Sequence, residues 1–248
     1  MAIPKRVEIL GAPVDCVDMD GALAAIDGMI VGERAQAVVA VNPEKVIKAQ
    51  SDPVLLRSLA TAGLLIPDGI GVVYAVRVLK GERIERVPGA ELMPAICERA
   101  AQRGYKLFLF GASREVNAQA VAILRDLYPG IAIVGHQDGY VDEAGMPRLI
   151  QTINSSGAQI LFVALGSPKQ ELWMERYLSQ LPYVRVCQGV GGTFDVIAGR
   201  VRRAPAAFRQ ANLEWFYRLI TEPRRALRQV VLPRFTWQVF REKIFGNS

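Results

Sequence analysis

Polar and glycine-rich clusters recur in this chain where short apolar runs end. The run 37–41 is followed by Asn42-Pro43-Glu44-Lys45. Asn before Pro reads as a helix N-cap with proline at the first helical position, and the same amide at the end of a strand can hold a sugar hydroxyl. The run 64–66 is followed by Pro67-Asp68-Gly69-Ile70-Gly71. Asp68 there either caps the next helix or serves as a general base that strips a proton from an attacking hydroxyl. Arg86 lies in the polar segment 80–88. Its guanidinium is either solvated or set to clamp a diphosphate and neutralise the charge that builds as the diphosphate departs.

Four more strand-end clusters follow. The run 106–110 leads into Gly111-Ala112-Ser113 and a helical pattern, an arrangement that offers backbone N–H groups to a phosphate. Arg114 and Glu115 occupy positions where a dinucleotide fingerprint would have further glycines, which argues against NAD or FAD. After 131–134 come His136-Gln137-Asp138-Gly139-Tyr140, where the Tyr140 ring is available to stack on a nucleobase. The run 160–165 leads to Gly166-Ser167-Pro168-Lys169-Gln170-Glu171, a turn opening a helix with Gln170 in its first turn, facing the crevice. The run 184–187 leads to Gly189-Val190-Gly191-Gly192-Thr193-Phe194-Asp195, whose glycines require something to approach the backbone closely. Asp18-Met19-Asp20 has the spacing of a metal-binding acidic pair, but it stands just before a helical pattern and reads as a cap. His136 is the single histidine, so histidine-based metal clusters are excluded and no metal site is expected.

These clusters need a frame that gathers strand ends. Continuous apolar runs of β-branched residues alternate with helical patterns at 89–103, 114–127, 142–154 and 169–181, the signature of strands covered on both faces. The expected fold is α/β, a mainly parallel Rossmann-like sheet with helices on both faces and a C-terminal helical appendage. Ligands should then collect at the carboxyl ends of the strands. The domain reading is 1–198 for the sheet domain and 199–248 for the appendage, which is too short to enclose its own core.

An apolar content of 51% with 22% charged residues excludes a disordered chain. Three widely spaced cysteines make neither a disulfide framework nor a zinc pattern and fit a reducing cytoplasm. No signal-peptide pattern is present, and no apolar stretch approaches the ~20 residues that span a bilayer. Membrane contact should be peripheral, from the cytoplasmic side.

Charge is concentrated at the end of the chain. Residues 197–248 carry eleven Arg or Lys against three Glu, whereas the whole chain is only +6, so the first 196 residues are slightly acidic. Phe208, Trp215, Phe216, Tyr217, Phe235, Trp237 and Phe240 are interleaved with those charges. Helical pieces are expected at 206–221 and 224–232, with a continuation to 245 beyond Pro233. Arginine beside bulky apolar residues suits an anionic membrane or a lipid diphosphate, and nucleic acid would not want so many aliphatics. The competing reading is a pair of amphipathic helices that cover the core, their arginines merely solvated.

Taken in order, Asn42-Pro43-Glu44, Pro67-Asp68-Gly69, Arg86-Val87-Pro88-Gly89, the 166–171 turn, the 189–195 loop and Leu213-Glu214-Trp215-Phe216-Tyr217-Arg218 resemble the TagA/WecG/CpsF family of bacterial glycosyltransferases. The resemblance runs from about Val7 to Phe245. It implies an inverting, metal-independent and cofactor-free transfer from a UDP-sugar to a polyprenyl-diphosphate-linked sugar at the inner face of the cytoplasmic membrane. N-acetylmannosamine or its uronic acid is the implied donor sugar. By position, Asp68 matches the base, Asn42, Arg86 and Gln170 line the pocket, and Tyr140 and Asp195 contact the nucleoside. Arg218, Arg225 and Arg228 fall in the appendage that the resemblance implies closes over the pocket and engages the membrane. Ala40 departs from relatives that carry a hydroxyl residue there. Rival readings are a nucleotide- or lipid-binding regulatory protein and an NAD-dependent oxidoreductase. The sequence allows a homo-oligomer without specifying one.

Overall fold

The computed structural model describes residues 4–201, 204–205, 208, 217 and 231–246, and in it the apolar runs form one parallel sheet. The strands are β3 (Gln36–Val41), β4 (Leu64–Pro67), β5 (Lys106–Gly111), β6 (Ala132–Gln137), β7 (Ile160–Ala164) and β8 (Val186–Gly189). They lie in the order β4-β3-β8-β7-β5-β6, every neighbouring pair parallel. Alternate residues divide into two cores. Val39, Val41, Leu65, Phe108, Phe110, Leu161 and Val163 face one side, and Val38, Leu64, Ile66, Leu107, Leu109, Phe162 and Val186 face the other.

The first core is covered by α2 (Pro43–Ala49), α3 (Pro53–Thr61), α4 (Ile70–Lys80), α7 (Met146–Ser156) and α8 (Lys169–Tyr177). The second is covered by α1 (Met19–Ile30), α5 (Gly89–Arg103), α6 (Arg114–Leu127) and α9 (Thr193–Ile197). The steps β3 to β4, β6 to β7 and β7 to β8 move one way along the sheet through the first layer, while β5 to β6, through the second layer, and β4 to β5, by way of α4 in the first and α5 in the second, move the other way. A single crossover hand produces that division. It sends the loops after β3 and β7 to one face and the loop after β8, between them, to the other, so a crevice forms at these strand ends.

A hairpin absent from the sequence reading precedes the sheet, β1 (Arg6–Ile9) paired antiparallel with β2 (Ala12–Asp15). Its turn uses positive φ at Leu10 and Gly11. Arg6 donates from Nε and Nη2 to the two oxygens of Asp15 at 2.7 and 2.9 Å, and Asp15 also accepts the Leu65 N–H at 2.8 Å. That N–H lies on the outer side of edge strand β4, so the hairpin occupies an edge that would otherwise be open to pairing. Its strands are short and one holds Pro13, which weakened its sequence signal.

The C-terminal helix (Val231–Phe245) packs against α2 and α4. Pro233 lies within this described stretch of helix and does not end it. Phe235 is buried among the residues of the first core, with Val231 and Val239 partly buried beside it. The expected helices at 206–221 and 224–232 fall, apart from Phe208, Tyr217, Val231 and Leu232, outside the described residues. None of the described helices is long and apolar enough to cross a membrane.

Candidate active site

Asn42, directly after β3, is the N-cap of α2, and its Oδ1 accepts the Lys45 N–H at 2.8 Å. The cap uses only the oxygen, so the amide NH2 is the part left for a hydroxyl. Asp68, directly after β4, is tied to β3 by its own N–H, which donates to the Val41 carbonyl at 2.8 Å. It is not the cap of α4. That helix begins at Ile70 with Gly69 as N-cap at φ 115°, a conformation that only glycine adopts readily. Asp68 thus stands one residue before the N-cap of α4.

The segment between α4 and α5 returns to the site at Val87, whose N–H donates to the Pro67 carbonyl at 2.8 Å. This sets half-buried Arg86 beside the end of β4, next to Asp68 in the fold. Gly89 opens α5 at the same place. A Cβ there would lie 3.6 Å from the Ala40 Cβ and 3.9 Å from Asp68 Oδ2. The N-terminus of α5 thus lies beside the Asp68 carboxylate. Ala40 lines the same pocket with a methyl group, leaving no hydroxyl at that position.

Gln170 is buried under the loop after β8, and its Oε1 accepts the Gly191 N–H at 3.0 Å. Gly189 is a glycine because of this side chain, since a Cβ there would lie 2.5 Å from Gln170 Nε2. Gly191 has φ 54°. Gly192 is exposed, and Asp195 is half-buried in the first turn of α9. Part of what the glycines admit is thus the protein's own Gln170.

The Gly111 loop is more committed to the fold than its sequence suggests. A Cβ on Gly111 would meet the Ala164 carbonyl oxygen at 2.5 Å, and the Ala112 N–H donates to that same oxygen at 2.9 Å. Ser113 Oγ caps α6. One backbone donor expected for a phosphate is therefore spent within the protein.

Tyr140 follows edge strand β6, at the far side of the sheet from Asp68, and is 83% exposed. Its loop leans back across β5. A Cβ on Gly139 would lie 3.2 Å from Gly111 Cα and 3.0 Å from a methyl of Leu165, just after β7. Three strand spacings, ~14 Å, then separate the ends of β7 and β4. Tyr140 and Asp68 thus follow the two opposite edge strands of the sheet.

His136 is structural. Its Nδ1 lies 2.8 Å from Asn117 Oδ1, while Asn117 Nδ2 donates to the carbonyls of Gly111 and Gln137. Because that amide nitrogen serves carbonyls, the histidine donates from Nδ1. Asp18 Oδ1 accepts the Gly21 N–H at 2.7 Å and caps α1 as expected. Among the described residues no group of three or more His, Cys, Asp or Glu is arranged to hold a metal. Arg218, Arg225 and Arg228 lie outside the described residues.

The sequence reading passed over Lys45, Glu171 and Gln188, all buried beneath the crevice. Lys45 Nζ and Glu171 Oε1 are 2.7 Å apart, and Gln170 Nε2 donates to the same oxygen at 3.1 Å. Gln188 reaches from β8 toward the Gly89 carbonyl at 3.4 Å. Lys45 and Glu171 stand beside Asn42 and Gln170 in sequence, yet charges in a first helical turn read as solvated. Their burial follows from α2 and α8 packing on the same side of β3 and β8.

Compared with known protein families, residues 7–248 match the glycosyl transferase WecG/TagA/CpsF family, and the chain belongs to it.

Proposed function

We propose, from that membership as premise, that the protein moves a hexose with inversion from a UDP-sugar to a polyprenyl-diphosphate-linked sugar in cell-surface polysaccharide biosynthesis. The hexose is N-acetylmannosamine, its uronic acid or a related sugar. The observation that carries the reading is the meeting of Asn42, Asp68, Arg86 and Gly89 at the ends of β3 and β4, in line with Gln170 and Gly191 at the ends of β7 and β8.

In this reading the acceptor hydroxyl attacks the anomeric carbon from the side opposite UDP, and Asp68 takes its proton. The bond from that carbon to the diphosphate oxygen breaks, and its electron pair leaves with UDP. Arg86 neutralises the charge that develops on the diphosphate. Asn42 and Gln170 orient the sugar, which supplies the alignment that a single displacement needs. The loops holding Gly111 and Gly191-Gly192, with Tyr140 and Asp195, take the nucleoside and its phosphates.

Residues 1–198 form the catalytic domain and 199–248 the appendage, whose Arg218, Arg225 and Arg228 complete the diphosphate site or bind anionic lipid. Support for a peripheral membrane contact comes from the C-terminal helix. Its outer face exposes Trp237, Phe240, Ile244 and Phe245 beside Arg234, Arg241 and Lys243, the composition of an interfacial helix. Transfer proceeds without a divalent metal, its cationic work done by arginines.

The test is a panel of UDP-sugars offered with a short-chain polyprenyl-diphosphate-linked sugar, products read by mass. Transfer from one UDP-hexose is the expected result. UDP binding with no turnover of any donor would replace the reading with a regulatory nucleotide-binding protein.

A further inference from the structure

Beneath the crevice a buried charge pair joins three loops that approach it from different strands. Lys45 and Glu171 have side-chain exposures of 5% and 1% and are 2.7 Å apart. Lys45 follows β3 and its N–H is the one capped by Asn42. Glu171 follows β7 and accepts from Gln170, whose other end accepts from Gly191, after β8. The path Asn42, Lys45, Glu171, Gln170, Gly191 therefore passes under the ends of β3, β8 and β7, which are neighbours in the sheet.

Stability alone does not explain such a pair. Buried ion pairs are on average no better than apolar residues of the same volume, because desolvation offsets their attraction. The second oxygen of Glu171 is also left without a partner among the described residues, so the pair is not even fully satisfied.

What the pair does specify is the direction of an amide. Gln170 has an acceptor and a donor end that differ little in shape and exchange by a half-turn. The Gly191 N–H only donates, and an ionised Glu171 only accepts, so one orientation satisfies both. That selectivity depends on charge. A side chain that both donates and accepts in place of Glu171 would tolerate the reversed amide on that side. Lys45 Nζ donates to the same Glu171 oxygen that accepts from Gln170. The steric fit adds to this, since Gln170 lies flat on Gly189 with no room for a Cβ.

We propose that Lys45 and Glu171 are positioning residues for the transfer. Their ion pair locks the Gln170 amide with its oxygen toward Gly191, and so sets both the loop after β8 and the amide face that the sugar meets. This rests on the reading of Gln170 as a substrate contact.

The experiment measures kcat/KM for UDP-N-acetylmannosamine with a short-chain acceptor, together with Tm, on the full chain. The variants are Lys45→Met, the neutral pair Lys45→Met/Glu171→Gln, Gln170→Ala, and Gln170→Ala combined with the neutral pair. Lys45→Met should lower both Tm and kcat/KM, because it removes the buried cation that is hydrogen-bonded to Glu171. The neutral pair should recover most of the Tm but remain ~10–100-fold low in kcat/KM, as expected of a misplaced contact near the reacting atoms. In the Gln170→Ala background the neutral pair should cost no more than a further twofold.

A neutral pair that regains wild-type kcat/KM along with its Tm would show the ion pair to be structural only. A full additional loss in the Gln170→Ala background would show that it does not act through Gln170. If Gln170→Ala alone transfers at the wild-type rate, the substrate-contact reading falls instead, which separates the two failures.

Discussion

Among the described residues Phe235 is the one side chain of the C-terminal helix that is fully buried against the sheet domain, and truncating it tests whether that attachment matters. Its side chain is 3% exposed, on a helix that also carries Trp237 and Phe240 on its outer face. A Cβ built on Gly71 would lie 3.7 Å from the Phe235 ring and 2.8 Å from Pro43 Cγ, so the ring sits directly behind the loops that present Asn42 and Asp68. Deleting a buried phenylalanine costs ~3–5 kcal/mol. Phe235 is covered from one side by α2 and α4 and from the other by its own helix, so the lower end, ~3 kcal/mol, applies. At 1.4 kcal/mol per decade that weakens docking of the helix ~100-fold. The helix can detach without unfolding the sheet, so the loss should appear first as local opening. Hydrogen exchange of Phe235→Ala should therefore show faster amides across 235–243, with β3, β5, β7 and β8 protected nearly as before. Turnover should fall too, because the segment bearing Arg218, Arg225 and Arg228 would be anchored at one end only. Unchanged exchange in 235–243 would refute the docking argument, and faster exchange with wild-type turnover would show that the appendage need not be docked for transfer.

Three further outcomes follow from the site and the core. Asp68→Asn should keep the fold and UDP affinity while lowering kcat by ~10²–10⁴-fold, the range for losing a general base; near-wild-type kcat would remove Asp68 from that role. Transfer should survive excess EDTA, and Asp20→Asn should move Tm more than rate, whereas activity lost to chelator and restored by Mg²⁺ or Mn²⁺ would require a metal-dependent mechanism. Burial raises the Cys97 thiol from the usual 9.0 to about 12 and pushes Cys187 up as well, while half-buried Cys16 is raised chiefly by desolvation. Only Cys16 should react with iodoacetamide in the native protein, and slowly. Both buried thiols have folded values above their unfolded ones, so their contribution to stability is complete below pH 9 and is lost as pH rises toward 12. Urea midpoints measured across that window should fall, and Cys97→Ala should flatten the slope; rapid labelling of Cys97 at neutral pH would contradict its burial.

The sheet was largely legible because parallel strands covered on both faces are continuous apolar runs. Mismatches arose where that rule stops applying. β8 runs to Gly189 rather than ending at Cys187, because Gln188 is a polar residue buried within a strand. β6 begins at Ala132 and extends to Gln137, because an edge strand need not be apolar to pair. The β1–β2 hairpin was missed because its fixing interactions, Arg6 to Asp15 and Asp15 to Leu65, join residues whose proximity only the fold creates. At the site, the Asn42 and Asp18 caps were readable because a cap is local. That α4 takes Gly69 rather than Asp68 as its N-cap residue needed the backbone conformation.

By itself the sequence determined the chemistry on offer and its order along the chain: an amide, a carboxylate, a guanidinium and a glycine-rich loop, each after an apolar run, and a basic aromatic tail. Those properties follow from residue type and near-neighbour spacing, which act over a few residues. Tertiary structure decided which of those groups share a place. The strand order β4-β3-β8-β7-β5-β6 makes neighbours of loops about 130 residues apart, so that Lys45 pairs with Glu171 and Gln170 lies against Gly189. Burial turned two charges that would be solvated on an isolated helix into a single paired unit, and the same packing spent part of the Gly111 loop's hydrogen bonding within the protein. A charge's surroundings depend on every element packed around it, and that information lies in the assembled layers rather than in any one stretch of chain.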